Sequence, residues 1–289
     1  MNPWDSLLEK NIMKKILAII AFTIIALQIR AQITFATADE VKLFLKSTTY
    51  IVEDGDPMSS FNDSIKAAMK KFWTITPYEV ITADQFETKK LSSANSFIML
   101  SEAEQTEDKV VCTYNFLNLI LGGNKDLNKM PDLGSVPLSY VNVDESTYLY
   151  KLGGLLIFMQ THVKYASEHP NSKLTLINKD SKTDIKTKEL WLLKEELPAD
   201  FNTVEKIQTV YPYTVKLVTK EEINKAIADK NPNVVYLHKV GPAGTITGGK
   251  CWKFLVTAKE GEVLYYDSHT ISDTEPDVFL KKDFKAISK

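Results

Sequence analysis

Apolar residues recur at helical spacing most clearly over 61–73, where Phe61, Ile65, Ala68, Met69, Phe72 and Trp73 make one stripe, so the pattern predicts a helix there. A shorter helix is predicted just before it, because Thr37-Ala38-Asp39-Glu40 has the form of a capping box and Val41, Phe44 and Leu45 follow at helical spacing. Between the two, Tyr50-Ile51-Val52 reads as a strand ending in the turn-prone Asp54-Gly55-Asp56-Pro57.

The next stretch occurs twice. Pro77-Tyr78-Glu79-Val80, then Ile81-Thr82-Ala83-Asp84-Gln85-Phe86, is echoed by Pro212-Tyr213-Thr214-Val215 and Val218-Thr219-Lys220-Glu221-Glu222-Ile223. Each copy reads as a strand and a Thr-capped short helix, followed by a further strand at Phe97-Ile98-Met99-Leu100 or Val234-Val235-Tyr236-Leu237. In the first copy an acidic loop is expected over 102–108. Residues 110–121 are too β-branched and aromatic for a helix but long for a strand, and 136–143 is a further, antiparallel strand.

A long helix is predicted over 144–169, stopped by Pro170. Its middle, Leu155-Leu156-Ile157-Phe158-Met159, is apolar all round and so predicts burial on most sides. Gly153-Gly154 inside it costs helix stability, which close backbone packing between the two halves would explain. After a polar, lysine-rich link over 178–188 the scheme repeats. A strand is expected over 189–194 and a helix over 202–210 with Asn202-Thr203-Val204-Glu205 as its cap, followed by the second copy, a strand over 234–240, a hairpin over 251–267, and a last short helix marked by Val278, Leu280 and Phe284.

Each half thus reads strand, helix, strand, short helix, three strands, helix. The fold class is α+β: two tandem repeats, each a mixed sheet with helices mainly on one face, joined by a long buried helix. The boundaries are 37–175 and 186–289, and the halves are expected to pack pseudo-symmetrically about 144–169.

The N-terminal residues change the address. Met13-Lys14-Lys15 precedes the apolar run 16–27, and Ala31 supplies a small residue for cleavage. This predicts a signal peptide within an N-terminal segment of residues 1–31. The run is short of the ~20 residues a membrane helix needs, so no stable membrane span is expected in the mature chain. The Ala31-Gln32 junction resembles that of exported proteins of the Bacteroidota type.

Beyond residue 31 the chain holds 31 basic and 35 acidic residues and no arginine, since Arg30 is the only one. A net negative chain without guanidinium groups lacks the footprint of a nucleic-acid binder. Cys112 and Cys251 occupy equivalent places in the repeats and would sit in an oxidising compartment, but sequence alone does not pair them; buried free thiols are the simpler expectation.

No catalytic, cofactor-binding or metal residue is assigned, and no cofactor. Gly244-Thr245-Ile246-Thr247-Gly248-Gly249-Lys250 imitates a phosphate loop, but Cys251 stands where a Ser or Thr is needed and a strand follows, so nucleotide binding is not expected. His162, His169, His238 and His269 show no metal-ligand spacing, and a Gly-x-Ser-x-Gly elbow is missing. Asp54-Gly55-Asp56 loosely resembles a calcium loop without its distal ligands.

The element order and the export signal resemble the N-terminal domain of TolB-type cell-envelope proteins, though no propeller repeats and no lipid-modified Cys accompany it. The resemblance implies an exported, non-enzymatic envelope protein acting in binding or assembly, with another envelope protein or a peptide as partner. Two alternatives stand beside it. One is a hydrolase-like enzyme using a cleft between the halves; the other is a peptide-binding module using a sheet edge at 114–117 or at Tyr265-Tyr266.

Overall fold

Three threonines start helices as their sequence context dictates. Thr37, Thr82 and Thr219 each accept a bond from the backbone three residues on, while Glu40, Gln85 and Glu222 reach back to the threonine N–H. They open α1 (Ala38–Phe44), α3 (Ala83–Lys89) and α6 (Lys220–Ala228), two orphan donors being satisfied at each. The other helices are α2 (Phe61–Phe72), α4 (Leu152–Glu168), α5 (Val204–Gln208) and α7 (Lys281–Ile287). The computed structural model describes residues 35–56, 58–107, 110–169, 184–242 and 247–289. The signal-peptide segment 1–31 and the first part of the link 178–188 lie outside them.

The strands form two five-stranded sheets of one topology. β1 (Thr48–Val52), β2 (Tyr78–Ile81), β3 (Asn95–Glu107), β4 (Val110–Leu121) and β5 (Val136–Tyr140) lie in the order β2-β1-β3-β4-β5. β6 (Glu189–Leu192), β7 (Val215–Leu217), β8 (Val234–Val240), β9 (Lys250–Thr257) and β10 (Val263–Thr270) lie in the order β7-β6-β8-β9-β10. In each, the first three strands are parallel and the last two antiparallel. The repeated Pro-Tyr stretch leads into the edge strand beside the first strand both times, and its Thr-capped helix carries the chain back across the sheet.

Right-handed crossovers that run in opposite directions along a sheet, as β1 to β2 and β2 to β3 do here, place their helices on opposite faces. Hence α2 packs with Ile51 and Ile98 on one face of the first sheet, and α3 with Tyr50, Val52 and Phe97 on the other. In the second sheet α6 shares a face with Val234 and Tyr236, whereas α5 and α7 cover Val235, Leu237 and Leu255. The central core joins the α2 face of the first sheet to the α6 face of the second. The halves therefore stack head to tail through non-equivalent faces, not about the two-fold that pseudo-symmetric packing would require. Polar outer faces on α3 and α7 end the stack on either side.

Helix α4 fills the layer between the sheets, and its two glycines each face a different half. A Cβ on Gly153 would lie 2.4 Å from the Phe72 ring, and one on Gly154 would lie 2.0 Å from the Tyr236 hydroxyl. The sequence cost of two glycines in a helix is thus explained by contact on both sides. Gly154→Ala is expected to destabilise by about 1–3 kcal/mol despite its better helix propensity. Adding Tyr236→Phe should recover part of the loss in urea melts; an unchanged midpoint for the single variant would remove this explanation.

Three local expectations change. Residues 102–107 are not a loop but the outer part of β3, because Glu102 and Glu104 alternate with half-buried neighbours and the backbone pairs with β4 throughout. Residues 110–121, by contrast, form the strand that the element order expects, over their full length. The stretch before α4 runs as two 3₁₀ turns, Glu145–Thr147 and Leu149–Lys151, capped first by Asp144, so the α-helix starts at Leu152. Thr203, not Asn202, caps α5, accepting from the Lys206 N–H.

Candidate functional site

Where crossovers leave a parallel pair in opposite directions, the carboxyl ends of the two strands splay around a crevice. In the first sheet that pair is β1 and β3. A groove of about 890 Å³ opens there, within the range of pockets that take small ligands or short peptides.

Its walls come from three places. After β1 the chain turns through Asp54, Asp56 and Met58. The turn is fixed by Asn62 of α2, which accepts from the Asp54 N–H at 2.8 Å and donates to the Asp54 carbonyl at 2.9 Å. Leu100, Ser101 and Glu102 of β3 and Asn115 of β4 form the floor, and residues 141–149 form the far wall. Glu145 ties that wall to the start of α2. Its carboxylate accepts from the Ser59 hydroxyl at 2.5 Å and from the Ser60 N–H at 2.8 Å, which substitutes for the missing side-chain cap on this helix.

The Ser59 hydroxyl holds the Glu145 carboxyl below its usual range, against burial, with help from Ser60 and Tyr148. Asp144 is likewise lowered, chiefly by its bonds to Ser146. A carboxyl with a depressed folded pKa contributes its stability above the unfolded value and loses it as pH falls through the folded one. The wall is therefore held at neutral pH and loosened only in acid. Among the described residues the lining contains Asp54, Asp56, Glu102, Asp144 and Glu145 and no Lys, Arg or His. Met58 at the mouth is 87% exposed. The groove thus joins an acidic rim to apolar ground from Leu100, Val141, Val143 and Leu149. Among the described residues no group of three or more His, Cys, Asp or Glu could hold a metal ion, Asp54 and Asp56 included.

The second half packs the corresponding place. Residues following β10 fold over the ends of β6 and β8, where the Phe279 N–H donates to the Glu196 carbonyl at 2.8 Å and the Phe279 ring is buried. Asp277 pairs with Lys239 at 2.9 Å. Gly241 makes room for it, since a Cβ there would lie 1.9 Å from the Asp277 carboxylate.

Of the residues weighed from sequence, Asp54 and Asp56 line the groove, whereas the cysteines and histidines lie elsewhere. Cys112 and Cys251 are buried free thiols on the fourth strand of each sheet. Cys251 is the cross-strand neighbour of His269. Burial, however, drives the Cys251 thiol pKa upward, and His269 Nε2 bonds the Pro276 carbonyl. His238 is buried and bonds the Pro137 carbonyl through Nε2 at 2.9 Å. Burial pushes its pKa down to about 3, helped by Lys151, so it ties β8 to β5 as a neutral ring. His162 is lowered by burial, with Asp132 opposing, and His169 stacks on Tyr165. After Lys250 the chain enters β9, not a helix, so the phosphate-loop imitation has no helix N-terminus behind it.

Between the halves lies a hollow of about 10 Å³ lined by Val136, Leu155, Phe158, His238 and three further residues. Tyr114–Leu117, one of the two proposed sheet edges, is interior: it pairs with β3 on one side and β5 on the other. Tyr114 also exchanges bonds with the Lys250 backbone at 2.7 and 2.9 Å. Tyr265 and Tyr266 do lie on an edge strand, but the Tyr265 hydroxyl is engaged by Asp283.

The groove residues were named in the sequence only for other reasons: Asp54 and Asp56 as turn formers, Asp144 as a helix start, Glu102 as loop. The signal available was a strand ending in an acidic turn before Ser-Ser and a helix, which is where a crossover sheet opens its crevice. The fold and groove define an α+β protein of two identically ordered mixed sheets with an acidic cleft on the first. No protein-family profile matches the sequence, and no curated protein or solved structure matches it either. No helix among the described residues is long and apolar enough to cross a membrane.

Proposed function

We propose that the chain is an exported binding or assembly component of the cell envelope, without enzymatic activity, and that the acidic groove is where its partner enters. Export follows from the signal-peptide pattern, with cleavage near Ala31, and the TolB-type likeness of element order points to the same setting. The observation that carries the reading is the groove itself: an open crevice at the strand ends of one sheet, lined by five carboxylates and by no Lys, Arg or His among the described residues. The thiols, His238 and His269 are buried away from it, and His162 and His169 sit half-buried on α4 and at its C-terminal end, outside its lining.

Such a lining selects a cationic partner through charge complementarity, and that attraction is screened by salt. Hexalysine should bind the mature chain at low ionic strength and weaken at least about tenfold at 200 mM salt, as read by calorimetry. A paired Glu102→Lys and Asp144→Lys substitution should abolish the binding. Equal binding of hexaglutamate, or none of hexalysine, would end this reading of the groove.

A further inference from the structure

We infer that the groove takes its partner as an extended peptide strand laid along the free edge of β3, with lysine or arginine at alternate positions. This rests on the groove being the binding site and names the class of ligand. The observation behind it is a mismatch in strand length. β1 pairs with β3 only at Asn95, Ser96, Phe97 and Ile98, whereas β4 pairs with β3 from Ser96 to Glu107. Beyond Asp54 the chain turns away from the track that β1 had followed. Residues 100–107 of β3 therefore have a β4 partner on one side and no strand on the other among the described residues. Leu100, Ser101 and Glu102 at the root of this edge line the groove.

An unpaired edge offers a ladder of N–H and C=O groups to any extended chain, and main-chain pairing of this kind gives affinity while alternate side chains give specificity. Here the alternate side chains are charged. Glu102 and Glu104 are exposed on one face of the arm, and their partners on β4 are Asn115 and Thr113, so the neighbouring strand does not neutralise them. Neither glutamate makes an ion pair with a described residue. Side chains two apart on a strand are about 6.8 Å apart, so basic residues at i and i+2 of an added strand would face both, with Asp54 and Asp56 at the root and the Leu100 and Val143 surfaces for an apolar residue.

The same charges select among occupants. A second copy of this edge would set like charges opposite each other, which is destabilising in a cross-strand pair. Self-pairing is disfavoured and a basic strand is favoured. The edge at 114–117 that the aromatic pattern suggested is closed on both sides, whereas its acidic neighbour on β3 is open on one side over 100–107 among the described residues.

The test uses the mature chain and four probes: the heptapeptide Val-Lys-Val-Lys-Val-Lys-Val with blocked ends, the same peptide N-methylated at alternate residues, its Glu-for-Lys version, and spermine. The plain heptapeptide should bind, N-methylation should weaken it at least about tenfold, and the Glu version should not bind. Backbone amide resonances of residues 100–107 should shift and gain protection from exchange on addition of the plain peptide. The exposed pair Glu102→Lys and Glu104→Lys should lose binding while the melting curve stays in place. Equal binding of plain and N-methylated peptides, or shifts absent from 100–107, would overturn strand capture and leave a groove that binds cations such as spermine and hexalysine. No binding by any cationic probe would take down the groove reading as well.

Discussion

Replacing Asp283 with alanine is expected to cost about 3–5 kcal/mol of unfolding free energy, the range for removing one partner of a buried ion pair. Lys253 sits in the middle of β9 with its side chain fully buried, and both Asp283 oxygens lie 2.7 Å from its ammonium. The Asp283 carboxylate has three jobs at once. It neutralises Lys253, accepts from the Tyr265 hydroxyl at 2.7 Å, and caps α7 by accepting from the Leu280 N–H at 2.7 Å.

Its removal leaves Lys253 with Asp267 alone, at 2.8 Å, and frees the start of the helix that brings Phe284 and Ile287 onto the second sheet. Asp283→Asn keeps acceptor capacity for the cap and should cost less than alanine. A paired Lys253→Met, Asp283→Leu replacement should recover most of the loss, since apolar substitutes for a buried pair are often neutral. Urea denaturation of the four proteins decides it; an alanine variant within about 1 kcal/mol of the parent would show that the pair does not hold α7.

Acid should act on the same cluster. Burial pushes the Asp267 carboxyl up, but the hydrogen bond and charge of Lys253 outweigh it and leave the carboxyl below its ordinary value. A lowered folded pKa means that the stabilisation is complete above the ordinary carboxylate range and is lost as pH falls through the folded value. Melting temperature should therefore fall in acid before it falls in base, and the Asp267→Asn variant should show a shallower acid limb.

Much of the fold was legible because local chemistry and tertiary structure agree. The capping boxes at Thr37, Thr82 and Thr219 formed as their spacing requires, and the repeated Pro-Tyr stretch marks the same edge position in two sheets of one strand order. What failed to show was set by non-local contacts. Glu102 and Glu104 read as a loop by charge, yet one exposed face of a two-stranded arm carries them while the backbone is paired by β4. The head-to-tail stacking depends on which sheet face α4 turns toward each half, and no periodicity in its buried stretch 152–159 reports that, because that stretch is apolar on nearly every side. The groove is a property of strand ends that differ in length between the halves, which no motif encodes. The free thiols were legible for the opposite reason: strand residues amid apolar neighbours are buried, and burial, with Asp277 beside it, drives the Cys251 thiol pKa upward.

Gly261→Ala is expected to cost about 2–5 kcal/mol, as two separable penalties. The first is conformational: Gly261 has φ +67° in the turn between β9 and β10, a region that costs an L-residue about 1–2 kcal/mol. The second is spatial, because a Cβ there would lie 2.5 Å from the Phe158 nitrogen and 2.8 Å from its Cα. Those atoms belong to the backbone of α4 and cannot rotate aside as the Phe72 ring or Tyr236 hydroxyl can beside Gly153 and Gly154, so the helix or the hairpin must move, at about 1–3 kcal/mol. The turn is also bound to α4 by the Thr161 hydroxyl, which donates to the Glu260 carbonyl at 2.6 Å. Asparagine separates the penalties, since it tolerates the left-handed conformation but still carries a Cβ: Gly261→Asn should remain destabilised by most of the spatial cost. Gly55→Ala serves as the control, with nothing within 4 Å of its added Cβ, and should stay within about 0.5 kcal/mol of the parent. If Gly261→Asn matches the parent while Gly261→Ala does not, only the turn matters and the hairpin is not seated on the helix backbone. If both fall together, this glycine is what lets the second sheet close onto the helix that the first sheet already holds.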